Sequence, residues 1–335
     1  MQEKVLLAHG GGGLLSREFI EHRIVSRFGN VHLDALDDSA VLAVDQGRLA
    51  FTTDSYVVNP LFFPGGNIGD LAVCGTVNDL AMAGARPMYI SLALILEEGF
   101  SLQDLDRILD TVKTRAVQAG VEIVCGDTKV VGKGQADGLY LNTAGVGLVA
   151  DGVDIASRNA RPGDRVLLSG PVGLHGLAVL LGRGAFGLSS ALESDVAPLH
   201  AVVQALLDAG VVVRSLRDPT RGGLAAALDE IARRSGVAIE IHEADIPTRP
   251  EQVSACEILG LDPLHIASEG CFTAVVEASH AERALKIMRR FAEAQSAAEI
   301  GEVLPRGNYP LFLRTAIGSR RLVTVPRGEE MPRIC

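Results

Sequence analysis

The sequence predicts an α/β protein of two domains, and three observations support this fold class. The chain has 335 residues, enough for about two domains of ordinary size. Segments with the apolar pattern of strands alternate along the chain with segments of helical spacing. Hydrophobic residues make up 47% of the chain and aromatic residues only 4%, so small aliphatic side chains must fill the core. That composition is typical of helices packed closely on sheets.

The first half of the chain alternates strands with three helices. Strands are predicted at 40–44, 49–53, 88–96, 121–125 and 139–149. Helices are predicted at 16–28, 68–83 and 102–119. The second of these helices ends where Gly84 and Pro87 follow, because glycine and proline are common stop signals just after a helix.

A domain boundary is predicted where the composition becomes polar and turn-forming, around 151–163. We therefore expect an N-terminal domain at 1–155, a C-terminal domain at 156–325 and a tail at 326–335. In the second domain, strands are predicted at 165–169, 237–242, 272–277, 298–303 and 320–325. Helices are predicted there at 174–183, 196–209, 222–235, 251–259 and 280–294.

Charge and cysteine content exclude several classes of function. The formal net charge of −10 argues against a nucleic-acid surface and against an anionic membrane partner. No apolar run approaches the 18 residues of a membrane span. The five cysteines include no Cys-x-x-Cys pair, which makes a structural zinc site an unfavourable interpretation. An odd number of unpaired thiols is typical of a cytoplasmic protein.

Acidic residues beside small or turn-forming residues are the first candidates for a ligand site. Asp38, Asp54 and Asp127 each lie beside a predicted strand end, where α/β folds collect ligand groups, and Asp79 lies in an otherwise apolar helix. Four convergent carboxylates would need a cation, and Mg²⁺ with a bound phosphate is the natural choice for oxygen ligands. Each aspartate could instead be a cap or turn residue. The sequence leaves these two interpretations open.

Two further segments could contact phosphate. Lys129 lies two residues after Asp127, so both side chains would share one face of a strand, and the lysine could hold negative charge or transfer a proton. An ordinary solvated lysine is the alternative. Backbone amides of the glycine run that includes Gly10 and Gly12 could cradle phosphate, although a simple linker explains the run equally well. The run is not a Walker A sequence, since no Gly-Lys-Ser/Thr follows.

Candidate binding and base residues also occur in the second domain. The segment Asp-Pro-Thr-Arg-Gly-Gly at 218–223 enters a predicted helix, where Asp218 could be a cap and Arg221 could bind phosphate bidentately. Gly222 and Gly223 would let a ligand approach closely. Glu269, just before a strand, could be a base or an ordinary turn residue. His175 and His265 are interpreted as structural.

The printed sequence ends in Pro-Arg-Ile-Cys, and Cys335 is its final residue. Two prolines and a glycine oppose a helix in 326–335, so we expect a flexible tail. Ten extended residues reach about 30 Å, which would let the thiol act as a covalent carrier. A stray thiol without function is the open alternative.

Four segments together resemble the hydrogenase maturation factor HypE family, in the aminoimidazole-ribonucleotide-synthetase-like superfamily. They are Gly-Thr-Val-Asn-Asp-Leu-Ala at 75–81, Gly-Asp-Thr-Lys-Val at 126–130, the segment 218–223 and the Pro-Arg-Ile-Cys ending. One departure is Gly11, where serine is expected. The resemblance covers essentially the whole chain. It implies two α/β domains, a homodimer built around a β-barrel shared by the N-terminal domains, and an ATP cleft near the dimer interface.

The resemblance also implies a reaction and its participants. A HypF-type carbamoyltransferase would carbamoylate Cys335, and ATP with Mg²⁺ would drive dehydration of that group to a thiocyanate. The cyano group would pass to iron on a HypC–HypD-type complex. The implied proton-handling residues are Lys129 and Glu269, and the implied metal ligands are Asp38, Asp54, Asp79 and Asp127. The implied nucleotide contacts add Gly10, Gly12, Asn78, Thr128, Arg221, Gly222 and Gly223.

Two other functions remain compatible with these segments. A related small-molecule kinase or selenophosphate-type synthetase would use the same ATP site and ignore the tail. A non-catalytic metal or iron–cyanide scaffold would use Cys335 as a ligand, although one thiol makes a poor metal site.

Overall fold

The computed structural model describes residues 13–28, 30, 32, 34, 36–44, 47–184, 191–325, 331 and 333–335. The predicted nucleotide contacts Gly10 and Gly12 lie outside these residues. The structural statements that follow concern the described part of the chain.

The N-terminal domain is a mixed five-stranded sheet with one deeply buried helix. Its strands, including one two-residue hairpin, are β1 (Ala40–Val44), β2 (Gly47–Tyr56), β3 (Phe62–Phe63), β4 (Gly66–Asn67), β5 (Ala85–Glu97), β6 (Glu122–Val131) and β7 (Leu139–Val149). Its helices are α1 (Gly13–Phe19), α2 (Ser26–Phe28), α3 (Ile68–Met82) and α4 (Leu102–Ala119), and a π-helical turn at Ile20–Val25 joins the first two. The order β1-β2-β7-β5-β6 leaves β1 and β6 at the edges.

Helix α3 is the centre of this domain. The side chain of Asn67 accepts a hydrogen bond from the Gly69 amide, and the Asn67 amide donates to Asp70, so both ends of a capping box are in place. Every residue of α3 is buried except Asp79. Because the helix packs against β2, β5, β7 and α4, the Asp79 carboxylate is held at a fixed position on an otherwise buried helix.

The C-terminal domain is a seven-stranded sheet with five helices. Its strands are β8 (Arg165–Leu168), β9 (Val213–Arg217), β10 (Ala238–His242), β11 (Thr273–Val276), β12 (Ala298–Leu304), β13 (Leu311–Arg314) and β14 (Arg320–Leu322). Its helices are α5 (Leu174–Gly182), α6 (His200–Asp208), α7 (Gly223–Ser235), α8 (Pro250–Leu259) and α9 (Ala281–Met288). The strand order is β14-β13-β10-β12-β8-β11-β9.

The structure adds three features to the predicted pattern. Strands β9 and β13 and the hairpin β3–β4 were not predicted. Only the pairs β5–β6 and β10–β13 are parallel, so both sheets are largely antiparallel despite the alternation of strands and helices. The N-terminal sheet of one chain is open, with β6 unpaired on its outer side among the described residues, so no barrel closes within the chain.

Within the described residues, no helix is both long enough and apolar enough to cross a bilayer.

Candidate functional site

Three carboxylates converge where the two domains meet. One oxygen from each of Asp38, Asp79 and Asp218 lies within 4.8 Å of the others. Asp38 comes from the loop before β1, Asp79 from α3, and Asp218 from the residue directly after β9. We call these three residues the carboxylate cluster. Their separate origins mean that the fold, and not a local turn, holds them together.

Fixed partners orient two members of the carboxylate cluster. The Thr52 hydroxyl donates to Asp79 Oδ2 at 2.7 Å. The Arg217 guanidinium donates to Asp38 Oδ1 and also to Glu230. Asp38 Oδ2 is buried and has no hydrogen-bond partner among the described residues. A buried acceptor without a partner is costly, so this oxygen is suited to a ligand that supplies positive charge or a donor.

Burial and like charge raise the pKa of every member of the carboxylate cluster. The pKa of Asp79 is well above its ordinary range, first because of burial and then because of Asp54, Asp218 and Asp38. Burial raises the pKa of Asp218 to about 6 even though Arg217 opposes the shift. Burial likewise raises the pKa of Asp38 despite the same arginine.

Asp54 is the fourth carboxylate of this region. It lies on β2, and the Tyr56 hydroxyl donates to its Oδ2 at 3.2 Å. Its charge contributes to the raised pKa values of Asp79, Asp218 and Glu269. Asp54 therefore borders the carboxylate cluster without being one of the three residues that meet most closely.

The donor set fits a magnesium ion. Mg²⁺ prefers carboxylate oxygens and usually keeps several waters or phosphate oxygens in its remaining positions. Mutually repelling carboxylates and the unpartnered oxygen of Asp38 both favour a cation. Asp38, Asp79 and Asp218 could hold it, with Asp54 beside them.

Glu269 is a buried carboxylate with one free acceptor. It is 3% exposed, and its Oε1 has no hydrogen-bond partner among the described residues. Burial, followed by Asp218, Asp195 and Asp54, raises its pKa well above the ordinary range. The Glu269 amide donates to Asp195 Oδ1 at 3.2 Å, which fixes the backbone that carries the carboxylate. A carboxylate with a raised pKa and a free oxygen can accept a proton near neutral pH.

Arg221 connects Cys335 with the carboxylates. Charge on Cys335 is the largest influence that raises the pKa of Arg221, followed among nearby charges by Asp54, Glu269 and Asp79. The thiol-bearing residue and the acidic site therefore share one cationic side chain. The Cys335 residue is neither fully buried nor fully exposed.

The described tail residues, Met331 and 333–335, pack against the rest of the chain, and the flexibility predicted for 326–335 stays a prediction because 326–330 and 332 lie outside the described residues. Met331 and Ile334 are 7% and 8% exposed and belong to the apolar core cluster around α3 and α5. The Val57 amide donates to the backbone oxygen of Cys335 at 3.2 Å, and the Asn59 amide donates to the Arg333 carbonyl oxygen at 3.2 Å. These backbone bonds and the two apolar side chains hold the described tail residues in place without a helix.

Arg333 makes a second set of tail contacts. Its Nε donates to the Val57 carbonyl oxygen at 3.0 Å, its Nη1 pairs with Asp137, and its own carbonyl accepts from Arg183 at 2.8 Å. The residue has a positive φ of 56°, an uncommon conformation for a residue other than glycine. Arg333 and Cys335 therefore lie along residues 57–59.

Asp127, Thr128 and Lys129 lie away from the carboxylate cluster within one chain. All three are exposed on the edge strand β6, where Lys129 Nζ pairs with Asp127 at 2.7 Å. The side chains of this pair are 67% and 61% exposed. Strands β7 and β5 separate β6 from Asp54 on β2, a distance of about 14 Å at about 4.8 Å per strand. Within the chain, Asp127 therefore lies away from Asp38, Asp54 and Asp79, and the carboxylate that meets Asp38 and Asp79 is that of Asp218.

Two other predicted nucleotide contacts have structural partners. Asn78 is 1% exposed, and its amide nitrogen donates to the carbonyl oxygens of Ala197 and Glu269 while its oxygen accepts from the Leu199 amide. Gly223 has φ of 63°, and a Cβ there would lie 2.5 Å from the Leu264 carbonyl oxygen. The close approach of this backbone oxygen therefore explains why glycine occupies position 223. Gly222, with φ of 79°, is the N-cap of α7.

Sequence reasoning missed two residues of the site. Asp218 was interpreted as a possible helix cap, yet α7 has Gly222 at its N-cap and no side-chain cap. The run of three valines at 211–213 could have predicted β9 and placed Asp218 at a strand end. His175 was interpreted as structural, and no sequence signal pointed to its contact with the tail.

Comparison with known proteins decides the family. The model described as AIR synthase related protein, N-terminal domain, matches residues 36–149, and the model for the C-terminal domain of the same family matches 161–314. A carbamoyl dehydratase HypE from Rhizobium leguminosarum bv. viciae is 47% identical over 333 residues, covering 99% of this chain and 95% of the relative. The chain belongs to the HypE family.

Solved HypE structures have the same fold. A HypE structure in complex with ATP superposes with a TM-score of 0.84 at 42% identity, covering 99% of this chain and 100% of that one. The structure of a HypE–HypF complex gives a TM-score of 0.87 at 44% identity, covering 92% of this chain and 99% of that one. The two-domain fold of this HypE family member is therefore that of the AIR synthase related proteins.

Proposed function

We propose that this protein catalyses the ATP-dependent dehydration of an S-carbamoyl group on Cys335 to a thiocyanate. The observation that carries the proposal is that Cys335, whose backbone oxygen accepts from the Val57 amide, is the largest influence on the pKa of Arg221, a cation whose pKa is also raised by Asp54, Asp79 and Glu269. The balanced reaction converts the thiocarbamate and ATP into the thiocyanate, ADP and phosphate. The oxygen lost from the carbamoyl group leaves in the phosphate.

The carboxylate cluster would bind the metal–nucleotide complex. Asp38, Asp79 and Asp218 supply the oxygen ligands, and Asp54 adds negative charge at their border. When bound, Mg²⁺-ATP supplies the phosphoryl group that makes the amide oxygen a leaving group. The ATP complex of a 42% identical HypE supports the assignment of ATP.

Glu269 is the proposed base. After the oxygen carries a phosphoryl group, formation of C≡N requires removal of the remaining proton on nitrogen. The free, buried Oε1 of Glu269 can accept that proton, and Asp195 holds the backbone amide of the same residue. Arg221 stabilises negative charge next to the sulfur and the departing phosphate.

We propose that the enzyme acts as a homodimer in which β6 crosses to the partner. Strand β6 is an unpaired edge, and its apolar side chains Ile123, Val124 and Val130 are exposed. Such an edge favours pairing with another strand. A shared barrel would carry Asp127, Thr128 and Lys129 toward the other protomer's carboxylates, which reconciles their predicted roles with their distance within one chain.

The proposed partners are the proteins that supply the carbamoyl group and accept the cyano group. A HypF-type carbamoyltransferase supplies the carbamoyl group, and the solved HypE–HypF complex supports this partner. A HypC–HypD-type complex accepts the cyano group for the iron of a [NiFe] hydrogenase. We place this sequence of reactions in the cytoplasm, where the thiol of Cys335 stays reduced.

Peptide mass mapping tests the proposal. The protein is incubated with a HypF-type carbamoyltransferase, carbamoyl phosphate and ATP, and then with further ATP and Mg²⁺. We expect a carbamoyl group on the peptide containing Cys335 that then loses the mass of one water. Cys335→Ser should form no adduct, while Cys125→Ser, a conservative change at an exposed cysteine of β6, should still form the carbamoyl adduct on the peptide containing Cys335. An adduct on another residue, or none, would contradict the proposal.

A further inference from the structure

Both ring nitrogens of His175 make hydrogen bonds, one of them with the tail, and the donor and acceptor of each bond can be assigned. Its side chain is 0% exposed on α5, and its Nε2 lies 2.7 Å from the Ile334 carbonyl oxygen. A carbonyl oxygen only accepts, so Nε2 carries the proton and Nδ1 is an acceptor. Ser194 Oγ, 2.8 Å from Nδ1, donates to it and in turn accepts from the Val196 amide at 3.1 Å.

The surroundings hold the imidazole in this neutral form. Burial lowers the pKa of His175 to about 4, so the ring is uncharged near neutral pH. The edge of the Phe63 ring packs against it at a centroid distance of 5.2 Å. A buried imidazole with both nitrogens bonded has one orientation available.

The carbonyl that His175 contacts belongs to the peptide bond that leads directly into Cys335. The Val57 amide donates to the backbone oxygen of Cys335 itself. The end of the tail is therefore held at two successive backbone oxygens, those of Ile334 and Cys335. Ile334 itself packs in the apolar core cluster, which sets the depth at which the tail binds.

We propose that His175 is a positioning residue that holds Cys335 near Arg221 by fixing the peptide bond of Ile334. This inference rests on the proposed dehydration at Cys335. The same serine that orients His175 adjoins Asp195, whose carboxylate accepts from the Glu269 amide. One short segment, 194–196, thus connects the position of the tail with the position of the proposed base.

Thiol labelling tests the proposal without any turnover. In a Cys125→Ser background, the alkylation rate of Cys335 is followed by intact mass for wild type, His175→Leu and His175→Gln. Loss of one buried hydrogen bond should raise the labelling rate of His175→Leu about tenfold, which corresponds to about 1.4 kcal/mol. Glutamine carries an amide N–H at a similar reach to Nε2, so His175→Gln should restore most of the protection.

His280→Leu is the matched control. His280 Nδ1 accepts from the Val212 amide at 2.7 Å, so this variant also loses a histidine–backbone bond, but one that involves no residue of the tail. It should leave labelling of Cys335 unchanged. Ser194→Ala provides a second approach if His175→Leu does not fold, and it should raise labelling in the same direction by a smaller factor.

Single-turnover kinetics separate positioning from general structural damage. On carbamoylated protein, His175→Leu should lower the rate constant of water loss and leave the half-saturating ATP concentration unchanged. Unchanged labelling of Cys335 in both His175→Leu and Ser194→Ala would overturn the inference and leave the proposed function intact. Faster labelling of Cys335 in His175→Leu, together with no carbamoyl or cyano adduct in the wild type, would instead contradict the proposed function alone.

Discussion

Asn78 and Asp79 are neighbours on α3, and their side chains have different surroundings. Asn78 is buried and bonds three backbone groups of the second domain, at Ala197, Leu199 and Glu269. Asp79, about 100° further round the helix, is the one residue of α3 that is not buried, and it enters the carboxylate cluster. One residue joins the two domains, and the next contributes a carboxylate to the cluster at the same junction.

Asp79→Asn should abolish binding of the metal–nucleotide complex without destabilising the protein alone. Removing one of several repelling carboxylates relieves repulsion, so the unliganded melting temperature should stay equal or rise. With Mg²⁺-ATP at a hundredfold excess over Kd, the wild type should gain about 2.7 kcal/mol and melt several degrees higher. Thermal denaturation with and without ligand measures both effects.

The control for this variant is Asp208→Asn, which neutralises an exposed carboxylate at the end of α6. It should retain the full ligand-induced rise in melting temperature. A ligand-induced rise of normal size in Asp79→Asn would mean that the carboxylate cluster does not bind the metal.

Asn78→Ala should destabilise the fold itself. Alanine leaves the Leu199 amide and two carbonyl oxygens without their partner, and an unsatisfied buried group costs about 1–3 kcal/mol. Urea denaturation should show this loss in the free energy of unfolding. Asn159→Ala removes a more exposed amide that bonds only the Asp154 carbonyl in the described contacts, and it should cost less. Equal stabilities of the two variants would refute the role of Asn78 at the junction.

Cation affinity should fall as the pH drops through about 6. The pKa of Asp218 is raised to about 6 in the cation-free fold, so protons compete with Mg²⁺ below that value. For the cation-free protein the sign is opposite: a raised pKa contributes stability that is present below about 3.8 and is lost as the pH rises through about 6. Titration calorimetry from pH 5 to 8, within roughly one to two units of that pKa, measures the affinity. In Asp218→Asn the affinity should be low at every pH, and a wild-type affinity independent of pH would be inconsistent with this assignment.

Complementation between two inactive variants should reveal the dimeric site. Asp79→Asn damages one protomer's carboxylate cluster, and Lys129→Ala damages β6. If Lys129 acts in the partner's site, a mixed dimer places both defects in one site and leaves the other intact. Co-expressed variants should therefore recover activity that neither has alone. No recovery in confirmed mixed dimers would indicate that Lys129 does not act across the interface.

The elements with strong periodicity were predictable from sequence, and the long-range geometry was not. Helices α3 and α4 were predicted within one residue of their ends, because apolar spacing and stop signals are local. Strand β9 was missed, and with it the placement of Asp218 at a strand end. Asp38 and Asp79 lie close to each other and to Asp218, and the charge of Asp54 contributes to the raised pKa of Asp79, while the metal-binding role of these residues stays a prediction.

The features that the sequence did not predict, the position of Asp127 and the contacts of the tail, share a physical cause. Whether Asp127 meets Asp79 depends on strand order, and the order β2-β7-β5-β6 is set by pairings between distant segments. The docking of the tail depends on contacts more than 150 residues away in sequence, such as that between His175 and Ile334. Local propensity predicted that 326–335 would not be helical, but it could not predict that Ile334 would contact a residue as distant in sequence as His175.

The most direct test of the central claim is ¹³C NMR of the protein after transfer of a ¹³C-labelled carbamoyl group to Cys335. Addition of ATP and Mg²⁺ should replace the thiocarbamate resonance with a thiocyanate resonance in the wild type, and it should leave the resonance unchanged in Glu269→Gln. A thiocarbamate that persists in the wild-type protein with ATP and the dimer both present would contradict the account.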